Sequence, residues 1–187
     1  STKLDSEQKN IADLFKGNEQ DFLIPDYQRP YIWDEDECLT LWDDVFSFAF
    51  PDNNKDNFEE GSKYFLGAVV MFRNQNKKLE VIDGQQRITT LILLLRAFYE
   101  AFGDSMQDGT SITVKKNIEK SLYKTDEFGN PVNPPKFKIN SEVATDDDKD
   151  ELFKILNDVK YIPDIKIYNL FKSKIYLITE KDDELAR

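Results

Sequence analysis

The stretch Val81-Ile82-Asp83-Gly84-Gln85-Gln86-Arg87-Ile88-Thr89-Thr90 decides how the fold is organised. Apolar residues lead into Asp83-Gly84, and residues 88–102 are apolar almost all round. This pattern predicts a strand over 79–82, a tight turn, and a central buried helix over 88–102. Gly84 permits backbone conformations that a side chain forbids. The first N–H groups of a helix have no intrahelical acceptor, and with the helix dipole they favour a phosphate. Gln85 and Gln86 add amide donors, Arg87 adds a planar, permanently charged fork, and Thr89 and Thr90 add hydroxyls in the first turn. Asp83 is placed to orient Arg87 or a magnesium-bound water. A plainer reading stands beside this one. Asp-Gly is a common turn and Gln-Gln-Arg an ordinary solvated helix start, and a short glycine loop without a full Walker or dinucleotide pattern does not separate the two.

Upstream, residues 64–72 form a near-continuous apolar run that predicts a buried strand, joined to the strand at 79–82 by a hairpin loop over 73–77. Earlier still, Ile11, Leu14 and Phe15 fit one face of a short helix, residues 21–24 a short strand, and residues 35–48 a helix. Asp34 and Glu37 give that last helix a capping-box-like start. The cluster Asp34, Glu35, Asp36 and Glu37 sits where the dipole favours acids, so a solvated, well-capped helix start is preferred over acidic catalysis. In an extended segment Tyr27, Arg29, Tyr31 and Trp33 share one face. An arginine among aromatics suits a phosphate with a ring stacked on a base; equally, Tyr31 and Trp33 are candidate core anchors. Lys63 is a further candidate for the same pocket. Arg96, nine residues after Arg87, faces away from it and reads as a structural ion-pair partner.

Past residue 103 the pattern is weaker. A helix over 112–123, a turn over 125–131, a strand around Phe137 and Ile139, a helix over 146–157 and a last helix from 165 into the 180s are expected. Asp146-Asp147-Asp148 reads as a charged helix cap rather than a metal cluster.

Composition narrows the chemistry. The 187 residues carry 25 basic and 36 acidic side chains, a net charge of −11, which argues against a stand-alone DNA binder. A pocket for one nucleotide still needs only two or three cations. The chain has no histidine, which removes histidine acid–base chemistry, serine–histidine–aspartate triads and HNH-type nuclease sites. A single cysteine, Cys38, precludes an internal disulfide and makes zinc improbable, and a reducing cytoplasm is expected. The apolar runs, 91–95 among them, fall far short of a membrane span.

Three motifs in order resemble the GmrSD-type family, the N-terminal domains of prokaryotic modification-dependent (type IV) restriction enzymes and related phage-defence proteins. Asp83-Gly84-Gln85-Gln86-Arg87 after an apolar strand resembles its DGQQR signature. Ile24-Pro25-Asp26-Tyr27-Gln28-Arg29-Pro30-Tyr31-Ile32-Trp33 is similar to its I-P-x-Y-Q-R-x-Y-x-W run, and Tyr64-Phe65-Leu66-Gly67 to its Y-F-L-G strand. The resemblance covers about residues 21–102 and fades beyond.

It implies an α+β fold with a ParB/sulfiredoxin-like core, a small mixed sheet, a central helix after the DGQQR loop and additional C-terminal helices. Residues 1–102 would be the nucleotide-binding core and 103–187 a mainly helical extension continuing into a further C-terminal region. The implied ligand is a nucleoside triphosphate (GTP, ATP or CTP) with Mg2+. Tyr27, Gln28, Arg29, Gly84, Gln85, Gln86, Arg87, Thr89 and Thr90 are the candidate binding residues, and Asp83, Gln86 and Arg87 the candidate catalytic ones. The implied role is control of DNA cleavage by a separate C-terminal nuclease domain or partner subunit. DNA would be met through other domains, with a homo-oligomer among the expected arrangements and no membrane partner. Three functions stay open: an NTP-hydrolysing sensor, a non-hydrolysing nucleotide or nucleic-acid switch, and an interaction scaffold with a vestigial loop.

Overall fold

The computed structural model describes residues 8–15, 22–24, 34–57, 59, 61, 63–102, 108–141 and 166–181. In chain order these form α1 (Ile11–Leu14), β1 (Phe22–Ile24), α2 (Glu35–Ala49), two 3-10 turns, β2 (Val70–Arg73), β3 (Leu79–Asp83), α3 (Gln85–Ala101), α4 (Gly109–Leu122), β4 (Ile139–Ser141) and α5 (Lys166–Lys181). The four strands make one sheet in the order β2-β3-β1-β4. β1 runs parallel to both neighbours, with Phe22 opposite Leu79 of β3 and Ile139 of β4. β2 is antiparallel to β3, placing Arg73 opposite Leu79, with an irregularity between Val70 and Met71. The sheet is therefore mixed and the class α+β.

α3 is the central helix that its apolar sequence predicts. Ile88 and Leu93 are fully buried, and Leu91, Ile92, Leu94 and Ala97 nearly so. α4 and α5 both pack against it. α2 closes another side through Trp42, whose ring stacks on Phe98 at 6.2 Å. A helix with so little exposed surface is held by burial from several directions, which fixes its first turn relative to the sheet. Lys138, 2% exposed, joins this core from beside β4. Its ammonium donates to the carbonyls of Phe15 and Lys120, tying the end of α1 to α4. Burial pulls its pKa below the ordinary lysine range.

Several expectations meet a different structure. Residues 64–72 do not form one buried strand. Regular pairing begins only at Val70, and Phe65 is 72% exposed. Two causes are visible. Gly67 adopts φ +118, which interrupts an extended run. β2 also lies at the edge of the sheet, so Met71 packs on the core while Val70 and Phe72 on the opposite face meet solvent. α3 starts at Gln85, three residues before its apolar pattern begins, because Gln85, Gln86 and Arg87 carry no hydrophobic signal. α4 starts at Gly109 rather than 112, its cap supplied by Asp108, which accepts from Ser111 N and Ser111 Oγ. The expected helix over 146–157, with Asp146, Asp147 and Asp148, lies outside the described residues.

Candidate functional site

β3 delivers the chain into the loop at Asp83, and Gly84 turns it with φ +88 and ψ 16, a left-handed conformation. That backbone state costs an ordinary residue roughly 1–3 kcal/mol, so the turn calls for glycine. α3 then begins, with Ile88 N donating to Gly84 O at 3.0 Å. Two side chains staple the turn. Asp83 Oδ1 accepts from Gly84 N at 2.9 Å, and Gln85 Nε2 donates to Ile82 O at 3.0 Å.

The start of α3 differs from three other helix starts. Asn10 caps α1 by accepting from Asp13 N at 2.7 Å, and Asp34 caps α2 by accepting from Glu37 N at 2.9 Å. Asp108 caps α4 in the same way, at 3.0 Å from Ser111 N. Gly84 stands at the cap position of α3 and has no side chain to offer, and the first turn holds no acid. Among the described residues no side chain caps this start, and the N–H groups of Gln86 and Arg87, which a capping oxygen would otherwise take, lie at the positive end of a 17-residue helix.

Arg87 lies beside this opening, half-buried. Its Nη1 donates to Ala68 O at 2.8 Å. The guanidinium also lies against Gly67, where a Cβ would sit 2.6 Å from Cζ, 2.8 Å from Nη1 and 2.9 Å from Nε. Gly84 approaches the same segment from the other side. A Cβ on Gly84 would meet Val69 Cγ2 at 3.0 Å and Ala68 O at 3.2 Å. Residues 67–69 therefore run beneath both the turn and Arg87. Their N-terminal flank is anchored on α2, where Tyr64 OH donates to Asp44 Oδ2 at 3.3 Å and its ring lies 5.5 Å from Phe48. Desolvation, and then the Asp44 carboxylate, raise the Tyr64 phenol above its ordinary range.

The loop residues divide. Asp83, Gly84, Gln85, Gln86 and Arg87 surround the opening. Thr89 and Thr90 are 1% and 0% exposed, and their hydroxyls donate to Gln85 O at 2.8 Å and Gln86 O at 2.7 Å. They face the core and reinforce the first turn from behind. Lys63 is exposed. Arg96, 6% exposed, lies over the Phe137 ring at 5.0 Å, deep in the packed half of α3. Tyr27, Gln28, Arg29, Tyr31 and Trp33 lie outside the described residues. Among the described residues no group of three or more Cys, Asp or Glu side chains converges to hold a metal.

Sequence reasoning passed over Gly67, Ala68 and Val69 as site residues. The signal was present, because a glycine inside an apolar run marks a bulge or a close backbone approach.

The fold and the loop together define a class: an α+β domain whose strand–turn–helix element presents the uncapped positive end of a buried helix. Within that class, the model of the GmrSD restriction endonuclease N-terminal domain matches residues 11–187, and the chain belongs to this family. It is also 32% identical over 99 residues to an uncharacterised protein of Methanocaldococcus jannaschii, a match covering 48% of this chain and 17% of that relative. The family is described as the N-terminal domain of a restriction endonuclease, and the chain spans less than a fifth of the length of that relative. No helix among the described residues is long and apolar enough to cross a membrane.

Proposed function

We propose that the Asp83–Arg87 turn is the phosphate-binding wall of a nucleoside triphosphate pocket, in a regulatory domain that controls DNA cleavage by a separate nuclease domain. The observation that carries this reading is the start of α3, where a left-handed glycine stands at the cap, no acid occupies the first turn and an arginine fork lies alongside. Anions favour such a terminus through both its N–H groups and the dipole. Arg87 uses one of its five N–H donors on Ala68 O, and the guanidinium geometry suits phosphate oxygens. Asp83 keeps a second carboxylate oxygen, and Mg2+ bound with phosphates needs only one or two protein carboxylates. Tyr27, Gln28 and Arg29 are assigned to the base and phosphate side of the pocket on their motif. Hydrolysis asks mainly for positioning and charge, which Gln86, Arg87 and a metal-bound triphosphate would supply.

A second reading, binding without turnover, is favoured by one specific arrangement. Asp83 Oδ1 is engaged with the Gly84 amide and both threonine hydroxyls with helical carbonyls, so the loop's acid and hydroxyls hold its own shape. Calorimetric titration of GTP, ATP and CTP, followed by phosphate-release assays on the wild type and Arg87→Ala, separates the two. Binding with release that Arg87→Ala abolishes supports hydrolysis, and tight binding without release supports the switch. If Arg87→Ala binds and releases as the wild type does, the assignment of Arg87 is wrong.

A further inference from the structure

Two left-handed glycines face each other's segments across the site. Gly84 lets the turn approach Ala68 and Val69, and Gly67 lets its own backbone approach Arg87. The two contacts are independent, yet both depend on residues 67–69 lying in one place. A guanidinium on a flexible side chain normally loses rotamer freedom when it grips a ligand. Here Arg87 is constrained on two sides before any ligand arrives. The Ala68 carbonyl holds Nη1 from one edge, and Cζ, Nη1 and Nε occupy the space that a Cβ on Gly67 would need. Among the described residues Ala68 O is the one acceptor on the guanidinium, so the other donors, both N–H groups of Nη2 included, stay available to an anion.

We propose that Gly67 and the Ala68 carbonyl are positioning residues for Arg87, orienting its fork toward a polyphosphate at the helix start. This rests on the reading of the loop as a phosphate site. It gives the Tyr64–Gly67 motif a role in that site that does not require touching the ligand. Tyr64, fixed to Asp44 of α2, steadies the same segment from its far end. The opposite arrangement would be a latch, in which the Ala68 carbonyl competes with phosphate for Arg87. The two differ in the sign of one measurement.

The test uses the full chain and inorganic tripolyphosphate as probe, with affinity from calorimetry and folding from thermal denaturation. Gly67→Ala would drive a methyl into the guanidinium, and Arg87→Lys keeps the charge without the fork. Each is expected to weaken binding by about 10–100-fold, as Arg87→Ala does. The combination Gly67→Ala with Arg87→Ala is expected to bind no more weakly than Arg87→Ala alone, because the clash partner is gone. Backbone strain at residue 67 lowers the melting temperature in both backgrounds, so only the non-additive affinity reports positioning. Gly67→Ala binding like the wild type, binding more tightly, or weakening the Arg87→Ala background equally would each overturn the proposal. Should Gly67→Ala fail to fold, Arg87→Lys decides, and wild-type affinity in that variant would overturn it. If the wild type binds neither tripolyphosphate nor any triphosphate nucleotide, the phosphate-site reading itself falls, and this proposal with it.

Discussion

α2 and α3 begin in opposite ways. α2 opens on Asp34, which caps the Glu37 amide, with Glu35, Asp36 and Glu37 in the first turn. Asp34 meets one orphan amide there, and the three acids meet the positive dipole end. α3 opens on Gly84, with two glutamines and an arginine. It is also the more buried helix, so its own stability does not depend on its cap. The difference shows how a core releases a helix terminus for another use. Burial along residues 88–97 holds α3 in place, and its first turn is then available to a ligand.

The sharpest way to break this contrast is Arg87→Ala. Arg87 is half-buried, and its one hydrogen bond in the described residues is to an exposed-side carbonyl. Triphosphate affinity should fall by about 10–100-fold, the worth of charge-assisted hydrogen bonds of about 1.5–3 kcal/mol. Thermal stability should change by less than about 1 kcal/mol. A large loss of stability with affinity intact in the folded fraction would reverse the roles given to the two ends of α3.

Gly84→Ala comes next. It places a Cβ 3.0 Å from Val69 Cγ2 at a backbone φ of +88. The expected cost is about 1–3 kcal/mol of stability, read from denaturant unfolding. Affinity should fall too, because the turn and residues 67–69 must separate. A variant as stable as the wild type would show that the left-handed turn is not required.

Much of this contrast was legible in the sequence, and the illegible part has physical causes. The strand, glycine turn and buried helix follow from apolar periodicity around Asp83-Gly84, and Asp34 with Glu37 announces the capped start of α2. The direction of the threonine hydroxyls was not legible. Thr89 and Thr90 look like ligand groups because hydroxyls in a first turn are common at phosphate sites. A helix whose neighbours Ile88 and Leu91 are buried leaves them facing the core, bonded to carbonyls four residues back. The contact between Arg87 and residues 67–68 is long-range in sequence, so no local pattern states it. Phe72 reads as core because hydrophobicity does not distinguish a central strand from an edge strand with one face uncovered, and Phe65 because the apolar run does not show that the strand begins only after Gly67. Lys138 likewise gave no sign of burial, since its acceptors are main-chain carbonyls from two distant segments.

Making α3 resemble α2 sharpens the comparison further. Gln86→Glu adds an acid to the first turn of α3, where the dipole favours it by about 0.3–1 kcal/mol. Stability should rise by that amount, while triphosphate affinity should fall about tenfold, or about 1.4 kcal/mol, through like-charge repulsion. The opposite signs are the informative part, because a residue serving only as a helix start would gain stability with no loss. Melting temperature and calorimetric affinity measured on one preparation supply both numbers. Gains in both, or no change in affinity, would remove the anion from the α3 terminus.

The smallest effect tests the other helix. Asp34→Ala removes an exposed cap whose carboxylate accepts from Glu37 N at 2.9 Å. Caps of this kind contribute about 1 kcal/mol, within a range of about 0.5–2. Unfolding should reflect that loss, and triphosphate binding and turnover should not. The acids at 34–37 carry enough charge to suggest metal or proton chemistry, and this variant decides between that role and simple capping. If phosphate release falls in Asp34→Ala while its fold and affinity persist, α2 contributes to the reaction. The closed helix start would then belong to the same machinery as the open one.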